Sequence, residues 1–570
     1  MTLLATAAFA TDVAPVAAPP DPALGPAAWV VETLAAQIER NVAGLSLPDA
    51  PEVYHLRYSV LELGQVDVVA SLGAVVQSNA HPVAALGVEV RVGSPDFDNT
   101  GFGGWQNGFS RASLPVKLTR TALATEAWRL TDTAYKQAVE QYARKAAQYI
   151  PPPDAPPDYT LTGQVVADVG NAVAEADATR LTELAERLSG ALRGTPALVR
   201  GEAYVGHEAG ATVVVDSEGT RVRTPIHETT IRIVGTIRAV DGELLTDQRL
   251  WTVRSPDALP PVEEMELEVV RLRASLVAWS TAPPLDDEYV GPVVFEDAAA
   301  RDLFRYALVD QLEGTPPEVP FDSWFGELGE ARDPVRVGRR VLPIGWSVTD
   351  DPRAIPEHPG SYQYDAEGTP SQAITLVEDG IARTLAMSRV PRRGLEATNG
   401  HGRAPIGRRA SGRLSLTTVE PDRRRSETAV HKAAQKLARA YGRDWIVVVR
   451  RLQEPAVLAL SDESRFEDSD QAVVLPPPVA IVRRYADGRE EPLRGATFSG
   501  VHRWVLRDIA AAGPMGDSDY MAPAFGGYAG LGPTEGMPCR MTAPDVLVGE
   551  LELVPAPGDP RAIAALPPPP

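Results

Sequence analysis

The sequence predicts an α+β protein of two domains, an α/β N-terminal domain followed by a β-rich mixed C-terminal domain. Three observations predict it. The chain has 570 residues, more than one core usually serves, since domains run to about 100–200 residues. Helical and strand-like periodicities alternate through the first half. After the Pro- and acid-rich stretch STAPPLDDEY (280–289) the texture changes, and from residue 340 short strand-like runs are broken by Gly and Pro.

Residues 1–25 read as an apolar leader and a Pro/Ala-rich linker. The leader contains Ala8-Phe9-Ala10, the A-x-A pattern of a cleavable signal, but has no basic n-region. It points to an exported protein, periplasmic or secreted, with a cytoplasmic one as the alternative. The N-terminal domain is expected over 26–285, the C-terminal domain over 286–557, and a disordered Pro-rich tail over 558–570.

Val30, Val31, Leu34, Ile38, Val42 and Leu45 repeat at helical spacing, and residues 53–94 alternate as strands. A long amphipathic helix follows, with Trp128, Tyr135, Val139, Tyr142 and Ala146 on its apolar face, stopped by the prolines from residue 151. Leu181, Leu184, Leu188 and Leu192 predict a helix near 179–193. Two hairpins should turn at Ser217-Glu218-Gly219 and at Asp241-Gly242, before a helix near 262–277. The second half opens with strand GPVVF and a helix, and later runs from the helix SETAVHKAAQKLARAYG into the strand DWIVVVRRL.

Composition narrows the function. A net charge of −21 argues against a general nucleic-acid binder, which needs a basic stripe to neutralise phosphates. The single cysteine, Cys539, rules out an intramolecular disulfide or a multi-cysteine zinc site. No apolar run approaches the ~20 residues of a transmembrane helix.

Five segments, in order, carry a resemblance: VDSEGTRVRTP, YVGPVVFEDAAARDLF, TDDPRAIPEHPGSYQYDAEGTPSQAITLVEDGIARTLAMSR, ATNGHGR and MTAPDVLVGELEL. Together they resemble the TldD/PmbA family, metallopeptidase-related proteins also described as modulators of DNA gyrase. The likeness runs from about residue 30 to about 555 and implies a two-domain TldD/PmbA-like architecture. Catalytic members of that family hold zinc with an H-E-x-x-x-H-x-L-E-G helix and a later cysteine.

Carried over, the motif places Arg305 at the first His, Tyr306 at the Glu and Asp310 at the second His, with Leu312, Glu313 and Gly314 kept. Arg305 has no lone pair to give a metal, and Tyr306, with a phenol pKa near 10, cannot replace the carboxylate base. Only Asp310 could ligate. Cys539 falls too late for the family cysteine and reads as a small buried hydrophobe. Leu303, Tyr306, Ala307 and Leu308 should then pack inward, while Asp302, Arg305 and Glu313 face solvent.

The resemblance therefore implies a PmbA-like pseudoenzyme with no catalytic residues, no metal and no cofactor. Its implied partners are a catalytic TldD-like paralogue in a heterodimer, or a second copy in a homodimer, and an extended peptide. The glycine loop, Gly400 and Gly402 with Arg403, would line the peptide cleft, where the peptide lies as an added strand. Two alternatives stand beside it: a hydrolase with relocated residues such as Asp310, His401 or His431, or an exported binding or structural protein keeping only the scaffold.

Other motifs read as structural. His207-Glu208 and His227-Glu228 lack a second His at i+4 and sit in strand-like sequence. Asp96, Asp98 and Asn99 suggest a calcium loop but lack its closing Glu. The basic run 389–409 is a solvated loop, or a site for a carboxylate or an acidic partner through Arg392, Arg393, Arg403, Arg408 or Arg409.

Overall fold

Two long hairpins build the first half of the chain. The computed structural model describes residues 27–103, 107–170, 177–319, 335–454, 475–522, 536–556 and 558, without the side chains of Asp310 and Arg503. The expected leader and nearly all of the Pro-rich tail lie outside these residues. Val53–Ser71 pairs with Ala74–Ser94 across a two-residue turn at Leu72 and Gly73, both with positive φ (49° and 78°). Positive φ at both turn positions matches the right-handed twist of the paired strands. The second hairpin joins Leu198–Asp216 to Arg221–Arg238 across the predicted turn at Glu218, and Leu244–Val253 pairs with its outer strand.

These strands form an eight-stranded sheet in which Val53–Ser71 and Leu198–Asp216 are the central pair. Helices Ala28–Gly44 and Arg120–Gln148 cover one end, burying Leu34, Tyr58, Val88 and Leu123. Helices Ala178–Gly190 and Val262–Ser280 cover the other, burying Leu188, Val205, Ile231 and Val269. Of the long helix's expected face, Tyr135 is buried and Val139 and Tyr142 pack on the core, while Trp128 and Ala146 are exposed. Leu123, Ala127, Ala134 and Ala138 are buried and Trp128 is half exposed, because small residues let the helix lie close on the sheet.

In the second half, Tyr289–Phe295 lies between the parallel strand Trp445–Leu452 and the antiparallel strand Met537–Pro555 in an eleven-stranded sheet. Helix Asp297–Phe304 packs on the Val293 and Phe295 face, and helix Glu427–Ala440 on the opposite, Val294 face. The fold is α+β. The expected short strands give way at the C-terminus to Ile509–Ala522 and Met537–Pro555, 14 and 19 residues long.

A buried ionic lattice joins the halves. Arg57 meets Glu89 and, at 3.5 Å, Glu367. Arg91 meets Glu89 at 2.6 Å and Asp98 at 2.8 Å, so Asp98 belongs to an ion pair rather than a calcium loop. Arg389, from the basic run, reaches back to Asp216 and Glu218 of the hairpin turn. The Tyr159 ring sits beneath the Arg91 and Arg389 guanidiniums, 3.6 and 4.5 Å from its centroid.

Burial alone would raise these carboxyls. The arginines overcome it and hold Glu89 at about 2, while His55 and Arg389 hold Glu218 at about 2. Carboxyls depressed on folding contribute stability that is whole above their ordinary value near 4.5 and is lost as pH falls toward 2. Arg389→Met leaves Asp216 and Glu218 buried without this cation and should cost about 3 kcal/mol. Urea titration should show the loss at pH 7, and acid unfolding of the variant should begin at a higher pH.

Candidate functional site

The helix Asp297–Phe304 does not continue as a regular α-helix. It passes into a π-helical turn, Arg305–Val309, and one last α-turn, Asp310–Leu312. In an α-helix, residues i and i+5 point well apart. The i→i+5 hydrogen bonds of a π-turn stack them instead, and such turns recur at functional sites. Positions 305 and 310, the two histidine positions in the family motif, are thus the ends of one π-turn.

Arg305 occupies the start of that turn. Its guanidinium pairs with Glu454 at 2.6 and 3.1 Å and lies 4.8 and 4.6 Å from the ring centroids of Tyr306 and Tyr520. Leu303, Ala307 and Leu308 pack inward. The polar residues do not face solvent as the helical pattern suggests. Arg305, Asp302 and Glu313 are 10, 19 and 14 % exposed, and Glu313 pairs with Arg413 at 3.2 Å. The reason is contact with distant parts of the same half: Glu454 and Tyr520 cover Arg305, and Arg413 covers Glu313. Burial pushes the Asp302 carboxyl up to about 7 despite Arg305 beside it.

The donor set does not fit zinc, which needs three or four lone-pair donors. Arg305 offers none and adds a positive charge. Among the described residues, groups of three potential metal donors occur elsewhere, at His55, Asp216 and Glu218 and at Glu296, Glu427 and His431. In the first, Arg389 already binds both carboxylates. In the second, His431 and Arg450 already hold Glu296.

Cys539 is nearer than its place in the sequence suggests, directly across the strand pair from Tyr520. It is fully buried, with Sγ 3.1 Å from the Arg403 Nη1 and 3.5 Å from the Leu414 carbonyl, and burial raises its thiol pKa. Arg403 thus stands in the floor of the site. Gly400 and Gly402 do not border an open edge. A Cβ on Gly400 would meet the Pro370 carbonyl at 2.2 Å, and one on Gly402 the Glu367 carboxylate at 2.4 Å. The Gly402 N–H donates to Asp365 and its carbonyl accepts from Ala366. The close approach these glycines permit is made by the chain's own 365–371 loop. His401 is buried, 3.8 Å from Asp350, while His431 lies on the other face of the sheet, so the two are not brought together.

The roof is the polar face of the second hairpin. Glu208 and Glu228 are cross-strand partners, as are Tyr204 and Arg232. Glu228, Thr230 and Arg232 alternate onto one face. Burial and the neighbouring Glu208 push Glu228 up to about 8; Arg403 is near enough to be felt and too far to pair. Glu208 and Glu228 stand at equal distances either side of Glu218, so the predicted turn already fixed their pairing. Arg232, Glu454 and Tyr520 carried no motif.

Residues 288–439 match the family described as PmbA/TldA metallopeptidase C-terminal domain. A protein named metalloprotease from Methanothermobacter thermautotrophicus is 35% identical over 88 residues, 15% of this chain and 19% of that protein, about a fifth of the relative's length. The fold is similar to TldE from Thermococcus kodakarensis, with a TM-score of 0.56 and 13% identity over 92% of this chain and 100% of that one. It is also similar to two proteins described as modulators of DNA gyrase. The one from Thermotoga maritima gives a TM-score of 0.56 at 13% identity, covering 92% of this chain and 99% of that one. The one from Bacteroides thetaiotaomicron gives 0.57 at 10%, covering 92% and 98%. Residues 288–439 belong to that PmbA/TldA metallopeptidase C-terminal domain family, and the described chain shares the fold of the TldE and gyrase-modulator proteins. No helix among the described residues is long and apolar enough to cross a membrane.

Two outcomes follow from the charges in the site. Arg305→Met would remove the bidentate guanidinium from the largely buried Glu454 and should cost about 3 kcal/mol in urea titration. Glu228 keeps a proton in the folded state between about pH 4.5 and 8 that the unfolded chain has lost, so its burial destabilises increasingly as pH rises through that window. Glu228→Gln should therefore raise the melting temperature at pH 9, with the gain vanishing near pH 4.5.

Proposed function

We propose that the chain is a non-catalytic member of a metallopeptidase system, binding extended, unfolded peptide in the cleft between its halves. It acts as the partner of a catalytic TldD-like paralogue, in a heterodimer, with a homodimer as the other assembly. The observation that carries this reading is the Arg305–Glu454 pair at the π-turn. A guanidinium stands where the family motif places an imidazole. It cannot act as a Lewis acid or bring bound water to a pKa near 7 as zinc does, yet the cleft around it keeps its polar lining.

The relocated hydrolase finds less support, since His401 is enclosed and His431 is engaged by Glu296 on the far face. The test is metal analysis of the purified chain with casein hydrolysis, followed by co-purification from the native host. Zinc well below one per chain, no chelator-sensitive cleavage, and a metal-bearing relative in the complex are expected. One tightly held zinc per chain, or cleavage abolished by chelator, overturns the reading.

A further inference from the structure

The outer face of helix Glu427–Ala440 carries charge that the fold leaves unbalanced. Its apolar side, Val430, Ala434 and Ala438, packs on the Val294 face of the sheet. Away from the sheet, Lys432, Lys436 and Arg439 stand at i, i+4 and i+7, all exposed. Among the described residues none of the three has an acidic partner. The long helix uses the same spacings to join acid to base, Arg129 to Glu126 at 2.8 Å and Lys136 to Asp132 at 2.7 Å. Like charges at i and i+4 weaken a helix instead, and this one stacks three cations in a column.

The column lines a groove of about 350 Å³. Its other wall is the turn Arg484–Gly488, between strands Pro478–Tyr485 and Glu490–Leu493. The Gln435 Nε2 donates to the Arg484 carbonyl at 2.8 Å and ties helix to turn, so the groove is formed before anything enters it. The Arg484 guanidinium is taken by Glu490, and Asp487 is the one acid in the lining. The excess positive charge is therefore that of Lys432, Lys436 and Arg439.

We propose that this groove docks an acidic, extended segment of a partner chain. Four residues of helix rise about 6 Å, and alternate residues of an extended peptide lie about 6.6 Å apart. Carboxylates at alternate positions of such a segment therefore meet Lys432 and Lys436 together, with Arg439 one turn further on. A compact anion would leave part of the column unpaired. A single nucleic-acid strand needs a longer basic track and open aromatic faces for its bases. The phenol ring at this groove, Tyr485, is already covered by Arg489, 4.0 Å from its centroid. The helix lies on the opposite face of the sheet from Asp297–Phe304 and the cleft, so this site does not rest on the peptide-binding reading above.

The test is calorimetric titration of the wild-type chain at pH 7 with acetyl-Asp-Ala-Asp-Ala-Asp-amide, its counterpart with Asn for Asp, inorganic phosphate and a short thymidylate strand. The Asp peptide should bind and the Asn peptide should be about tenfold weaker or more. Added salt should weaken the Asp peptide, since the charges that hold it are exposed. Lys432→Glu should weaken it about tenfold or more as well. The melting temperature of that variant should hold or rise, because an acid four residues before Lys436 makes a favourable helical pair. Loss of binding there thus reports the groove, neither misfolding nor the cleft. Equal binding of the Asp and Asn peptides, no binding of either, Asp-peptide binding unchanged by Lys432→Glu, or tighter binding of phosphate or thymidylate overturns the proposal.

Discussion

The contact between the two halves is built on a lattice of three buried guanidiniums, two of which pair across it. Arg57, Arg91 and Arg389 are 5, 1 and 0 % exposed, and each lies against at least two carboxylates. Removing such charges from water costs several kcal/mol each, and only close opposite charges offset it. The Arg389 pairs with Asp216 and Glu218 cross between the halves, as does the Arg57 pair with Glu367. They therefore set the height of the hairpin above the floor. Glu218 is also the hinge of that hairpin's turn, so one residue fixes both the register of the roof and its attachment.

Against this lattice Arg232 stands out by contrast. The chain neutralises its structural guanidiniums thoroughly, by carboxylates drawn from both halves. Arg494 follows the same rule, reaching Asp241 at 2.6 Å and Glu243 at 2.7 Å. Among the described residues Arg232 has two buried nitrogens, Nε and Nη1, without a hydrogen-bond partner, and burial lowers its pKa.

Much of the architecture was legible in the sequence because it rests on local pattern. Periodicity located the helices at Ala28–Gly44, Val262–Ser280 and Glu427–Ala440, and Gly-containing turns located the second hairpin. What stayed hidden depends on partners distant in sequence. The lattice residue Arg389 begins a basic run that looks solvated, and only the far-off Asp216 and Glu218 make it a core residue. Trp128 scores as apolar but faces outward, since helix packing selected alanines. The π-turn follows no 3.6-residue pattern. Glu454 lies where no motif points, so Arg305 reads as a surface charge until the fold brings its partner across. Cys539 is late in sequence but adjacent in space, because an antiparallel pair returns it beside Tyr520.

Arg305 puts a positive centre where the family motif would place a zinc ligand. A divalent metal would supply charge together with empty orbitals, and the orbitals are what activate water. Arg305 and Arg232 supply charge and directed N–H groups only. Glu454 pairs with Arg305, and both lie near enough to Arg232 for their charges to act on it. Under the proposed function, such a site would hold a peptide by charge and N–H groups without a metal to activate water. On that reading, the guanidinium at position 305 would both take the place of a metal ligand and leave the site a fixed positive charge, so one substitution would account for the loss of metal chemistry and for the polar lining around it.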